Sequence, residues 1–140
     1  MNPDALAGLS QASSLLPLIS TCVGVFVGLL VGMVPGMTIS TGIIVVLPVT
    51  FVLPADIAIA LLLGLYVGGM TGGSFSAILL NIPGTPSASA TAIDGFALAA
   101  NGEAGRALGV AITASFVGGF FSFLCLFFIA PLLADVALEF

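Results

Sequence analysis

The sequence has no histidine, two cysteines and a single basic side chain, Arg106, and each shortage removes a class of function. Without histidine, and with Cys22 and Cys125 each inside an apolar run, no zinc site, imidazole acid–base pair or Cys–His nucleophile can be assembled. The two thiols read as small core hydrophobes. Set against Asp4, Asp56, Asp94, Glu103, Asp135 and Glu139, the one arginine leaves a net charge of −5. No basic patch exists to neutralise phosphates, which closes the usual route to nucleic acid. Met1 to Gln11 contains Asp4 but no Lys or Arg, so the basic n-region of a secretory signal is missing and the first apolar segment reads as a retained anchor. An enzyme is not expected either. An intramembrane one would have to pair a Ser or Thr with Asp94, which makes a poor nucleophile and base.

Hydrocarbon fills the space that charge leaves. Hydrophobic residues make up 60% of the 140, charged residues 5%, and the mean hydropathy is +1.37. Soluble domains are about a quarter charged, and one basic plus six acidic side chains cannot provide a polar shell for a chain of this size. The bilayer is its natural solvent. Continuous apolar runs of about 20 residues predict spanning helices, in contrast to the alternation of a membrane β-barrel. The runs cover 15–33, 38–53, 55–80 and 106–133, the second being short with Pro48 inside it. Val34-Pro35-Gly36 separates the first two, Pro54 and Asp56 open the third, and a polar loop rich in Pro, Gly, Ser and Thr spans 81–105. The expected fold is all-α: one domain over 1–140 of polytopic transmembrane helices, with broken helices or re-entrant Pro-Gly loops. The positive-inside rule places the Arg106 end in the cytoplasm. The chain stops at Leu138-Glu139-Phe140, just after an apolar run, and is expected to continue in the intact protein.

Two stretches carry candidate chemistry. The first is Pro35-Gly36, followed by the hydroxyls of Thr38, Ser40 and Thr41. Unwound backbone at membrane depth is tolerated only where protein or a water-filled cavity covers it, and transporters use such breaks to aim helix N-termini at anions. The bland alternative is a short loop whose hydroxyls cap the next helix. The second stretch is Asn81-Ile82-Pro83-Gly84-Thr85-Pro86-Ser87, running on through Ser89 and Thr91 without a charge until Asp94. Small neutral polar residues suit backbone folded into a cavity, and Pro86 is placed to open a half-helix over Ser87 to Thr91. Together these make Pro35, Gly36, Thr38, Ser40, Thr41, Asn81, Pro83, Gly84, Thr85, Ser87, Ser89 and Thr91 candidate contacts for a carboxylate. Asp94 is either a ligand for a coupling cation or a turn acid beside Gly95. Gly24, Gly28 and Gly32 form a small-residue stripe that reads as a packing seam. Glu103 and Arg106 read as a surface pair, with Arg106 as carboxylate ligand the other option. The Phe120, Phe121, Phe123, Phe127 and Phe128 cluster reads as lipid-facing and packing surface.

In unbroken order, these motifs resemble a known family. Gly28-x3-Gly32-x2-Pro35-Gly36 followed by Leu47-Pro48 is similar to the glycine/proline motif of the large membrane subunit of tripartite tricarboxylate transporters. So is Gly68-Gly69-Met70-x-Gly72-Gly73-Ser74 running into Ile78-Leu79-Leu80-Asn81-Ile82-Pro83-Gly84-Thr85. Asp94-Gly95-Phe96 and Gly102-Glu103-Ala104-Gly105-Arg106-Ala107-Leu108-Gly109 complete the likeness, which covers roughly Gly24 to Phe140. The resemblance implies a subunit of about a dozen spans built from two repeated halves, of which this chain would be the N-terminal portion. It implies a small membrane subunit and a periplasmic solute-binding protein as partners, and uptake of tricarboxylates or related carboxylates across the bacterial inner membrane. It further implies no cofactor beyond a coupling cation, Na+ or H+. The competing expectation is a truncated, non-transporting membrane fragment or assembly module.

Overall fold

Each change in hydropathy along the chain becomes a helix boundary for a local reason. The computed structural model describes residues 14–138, and among these the chain forms five helices and no strand: α1 (Leu15–Met33), α2 (Ile39–Thr50), α3 (Ala55–Leu80), α4 (Ala88–Ala100) and α5 (Ala104–Leu138). The N-terminal stretch with Asp4, and Glu139 and Phe140 at the other end, lie outside the described residues. The all-α expectation holds. α1, α3 and the Ala104–Ala130 part of α5 are long and apolar enough to cross a membrane, with mean hydropathies of 2.3, 1.6 and 2.2.

The breaks are built from specific residues. Between α1 and α2, Met37 N–H donates to the Val34 carbonyl at 3.1 Å and Gly36 adopts φ 85°. Proline second and glycine third in a four-residue turn is the sequence signature of a type II β-turn, whose third position needs a positive φ. The expected break at Pro35-Gly36 is thus a tight turn. α3 ends at Asn81, which takes a left-handed conformation (φ 57°) and donates its N–H to Ala77 at 3.1 Å, with Pro83 beyond it to prevent continuation. Gly102 (φ 84°) closes α4 with paired bonds, Gly102 N–H to Ala99 at 3.0 Å and Glu103 N–H to Leu98 at 3.0 Å.

One expectation needs correction. The stretch 81–105 is not a loop throughout, because Ala88–Ala100 is helical. The half-helix expected over Ser87 to Thr91 is the beginning of this longer one, which continues to Ala100 because six of its thirteen residues are alanine, the strongest helix former. The short second segment survives as α2, whose 12 residues amount to about 18 Å at 1.5 Å each.

The chain divides into two units, residues 1–108 and 109–140. In the first, α1 and α3 are joined along a glycine seam. A Cβ added to Gly24, Gly28 or Gly32 would run into the carbonyl oxygen of Leu61, Leu65 or Gly69 respectively, and one added to Gly64 or Gly68 would meet that of Thr21 or Val25. Numbers rise together on both helices, so α1 and α3 run parallel. Such reciprocal stripes let two backbones approach where side chains would hold them apart. Ser20 Oγ fastens the start of the seam by donating to the Ile57 carbonyl at 2.9 Å. α2 returns antiparallel to α3: Ile39 sits over Gly69, and Gly42 lies near Leu65 and Val31. α4 lies on the last turns of α3, with Ala77, Ala88 and Ala92 buried together and Gly95 seated against Ile78. In the second unit, α5 carries an exposed aromatic run in which the Phe123 and Phe127 rings are 6.3 Å apart and Phe127 meets Phe128 edge to face at 5.7 Å.

Candidate functional site

The loop after α3 turns back along the helix it leaves. Gly84 is held where an added Cβ would lie 3.0 Å from Gly73 Cα, 3.1 Å from the Gly32 carbonyl oxygen and 3.4 Å from Ser76 Oγ. Gly73 is seven residues, about two turns, before the end of α3. The backbone of 81–87 therefore descends to the level where α1 ends, and this brings it alongside the start of α2. Thr85 is 8% exposed in this position and ties the fold-back to α4: its Oγ1 is 3.1 Å from Ser87 Oγ and accepts the Ala88 N–H at 3.3 Å.

A groove of about 530 Å³ lies between the two stretches, within the first unit. It is lined by Thr38, Ile39, Ser40 and Ile43 from the start of α2, Tyr66 and Met70 from α3, and Gly84, Thr85, Pro86 and Ser87 from the fold-back. None of these ten residues is charged. The hydroxyls of Thr38, Ser40, Thr85 and Ser87 provide donors that rotate to suit a ligand. At the start of α2 the first bonds to an earlier carbonyl are those of Thr41 and Gly42 to Thr38, at 3.0 and 3.3 Å. The amides of Ile39 and Ser40 come before them, at the helix end that favours negative charge. The start of α4 is different. Ala88 and Ser89 donate to the Thr85 and Pro86 carbonyls at 3.1 and 3.3 Å, so these two amides serve the loop itself. Ile39 and Ser40, which carry the leading amides of α2, both line the groove.

Five of the residues singled out in the sequence line the groove: Thr38, Ser40, Gly84, Thr85 and Ser87. Thr41 stands behind them, its Oγ1 3.2 Å from that of Thr38. Pro35 and Gly36 form the exposed turn below α2, and Asn81 and Pro83 shape the exposed entry to the fold-back. Ser89, Thr91 and Asp94 lie on α4 outside the lining, with Asp94 exposed. Asp94 is a helical residue, not a turn acid, and among the described residues no group of three or more His, Cys, Asp and Glu comes together as a metal site. Arg106 is also outside, paired with Glu103 at 2.9 Å on the surface, with 73% of its side chain exposed. Sequence reasoning missed the apolar part of the lining, Ile39 with Ile43 and Tyr66 with Met70. Each pair is spaced four apart on one helix face, a pattern present in the sequence but shared with every buried or lipid-facing stripe.

Comparison with known proteins agrees with the motif order. The model of the tripartite tricarboxylate transporter TctA family matches residues 18–140. An uncharacterized 52.8 kDa protein in the TAR-I ttuC' 3'region of Agrobacterium vitis is 45% identical over 98 residues, which cover 70% of this chain and 20% of that protein. The chain thus spans about a fifth of the length of that relative. No solved structure matches.

Proposed function

Because the chain belongs to the tripartite tricarboxylate transporter TctA family, we propose that it is part of the membrane permease subunit of a binding-protein-dependent secondary transporter, and that the groove between α2 and the 81–87 fold-back receives the carboxylate. The transported solute is a tricarboxylate or related small carboxylate, delivered by a periplasmic solute-binding protein. A small membrane subunit completes the assembly in the bacterial inner membrane, and a Na+ or H+ gradient drives uptake. Asp94 is given no part in the groove, since it lies on α4 outside the lining.

One observation supports this reading above the others. Two chain breaks 46 residues apart, from Thr38 to Gly84, meet in one uncharged groove that combines five hydroxyls, that of Tyr66 included, with the leading residues of a helix. Such a site binds an anion by dipoles alone, without a fixed cation that would have to be neutralised when the anion leaves. The test is uptake of labelled citrate and related acids by membrane vesicles carrying the full-length subunit and its partners, with sodium and proton gradients collapsed in turn. Gly84→Val lifts the fold-back off Gly73 and is expected to abolish uptake while membrane insertion persists. Undiminished uptake by that variant rejects the groove as the site.

A further inference from the structure

We infer that Tyr66 and Ser40 hold two different carboxylates of one solute from two different helices, Tyr66 by its phenolic O–H; this rests on the groove being the carboxylate site proposed above. Five lining residues carry a hydroxyl: Thr38, Ser40, Tyr66, Thr85 and Ser87. Three of them already have a protein partner, Thr38 in Thr41 at 3.2 Å, and Thr85 and Ser87 in each other at 3.1 Å. Each of these pairs uses one of its two hydrogens internally. Among the described residues, Ser40 Oγ and Tyr66 Oη form no hydrogen bond within the chain.

The register of the helices puts the two at one level. α2 runs antiparallel to α3, with Ile39 on Gly69 and Gly42 near Leu65, so Ser40 and Tyr66 fall between the same pair of contacts. Tyr66 is eleven residues after Ala55 and fourteen before Leu80, within half a turn of the middle of α3. In a bilayer that α3 crosses, this is near the mid-depth of a hydrocarbon core about 30 Å thick, far from the interfaces where tyrosines gather. A hydroxyl without a partner is costly at that depth, and polar groups found there mark solute paths and water-filled cavities. Tyr66 is 49% exposed and lines the groove.

A phenol and an aliphatic hydroxyl each donate one hydrogen to an ionised oxygen, and such charge-assisted bonds are stronger than neutral ones. With no lysine or arginine in the lining, a polycarboxylate depends on donors distributed over several elements. Ser40 at the start of α2 receives one head and Tyr66 of α3 another. Tyr66 is thereby a specificity-determining contact for acids that carry more than one carboxylate.

Titration calorimetry with citrate, on the full-length subunit in lipid nanodiscs without the binding protein, tests this. Tyr66→Phe keeps the ring and removes only the hydroxyl. It should raise the citrate Kd about tenfold, equivalent to about 1.4 kcal/mol, with the thermal midpoint of the ligand-free protein unchanged. Ser40→Ala should weaken citrate similarly, and the double variant should lose about a hundredfold, because the two donors meet different carboxylates. An unchanged Kd in Tyr66→Phe, a lowered ligand-free midpoint in that variant, or a double variant no weaker than either single one overturns the assignment. Gly84→Val tests the underlying site separately. Citrate binding lost in Gly84→Val but intact in Tyr66→Phe removes Tyr66 and leaves the groove, whereas binding unaltered in Gly84→Val removes the groove itself.

Discussion

The seam between α1 and α3 and the groove at its end are both built on glycine, for opposite physical reasons. Along the seam, Gly24, Gly28 and Gly32 are needed because they have no Cβ: a backbone carbonyl of the facing helix occupies the space one would fill. At the turn into α2, Gly36 has nothing within 4 Å of an added Cβ, yet its φ of 85° is one that L side chains rarely adopt. Gly84 returns to the first kind, held against Gly73 and Gly32, but in a loop and not a helix. One residue type thus closes a dry interface in one region and shapes an open cavity in the other. A glycine in a membrane sequence has to be assigned to space or to dihedral before its substitution can be foreseen.

The sharpest way to break the comparison is Gly28→Val. Its side chain would meet Leu65 backbone that has no room to yield, so the two helices must separate. The expected cost is about 3 kcal/mol or more, read as loss of a monodisperse peak for the full-length subunit in detergent. A well-behaved, fully stable variant would show that the seam tolerates side chains. Gly36→Ala should do less, since only the dihedral resists: about 1–2 kcal/mol, with Gly36→Asn milder because asparagine tolerates left-handed backbone. Thermal denaturation of the three proteins orders them, and an alanine variant as damaged as Gly28→Val would mean the turn is crowded after all. Smallest is Ser20→Ala, which removes the side-chain bond across the seam from Ser20 to Ile57. Interhelical bonds of this kind average about 0.6 kcal/mol in membranes, so a loss well above 1 kcal/mol would shift the seam's stability from backbone contact to hydrogen bonding.

Much of the fold could be read from the sequence because its helix ends coincide with residues that end helices. The spans 15–33 and 55–80 match α1 and α3 to the residue, and both are bounded by proline, by Asn81 or by a fall in hydropathy. Of α4 only the start was legible, in the half-helix that Pro86 is placed to open over Ser87 to Thr91; its continuation to Ala100 was hidden, because the helical tendency lay in alanines that polarity does not register. The polar half of the groove was visible for the same reason as the helix ends: hydroxyls cluster at the two breaks. The apolar half was not, because nothing in Ile43 or Met70 marks them as different from Leu63 or Val67, although Tyr66 stands out as the sole tyrosine of the sequence. Their place follows from the register of α3 against α2, and that register is set by Ile39 seating on Gly69, a contact between residues 30 apart.

The parallel course of α1 and α3 also settles which openings share a compartment. The Pro35 turn and the Asn81 fold-back stand at one end of the pair, and the Phe51–Pro54 connection at the other. In a bilayer crossed by both helices, Ser40 and Ser87 therefore open toward the same face.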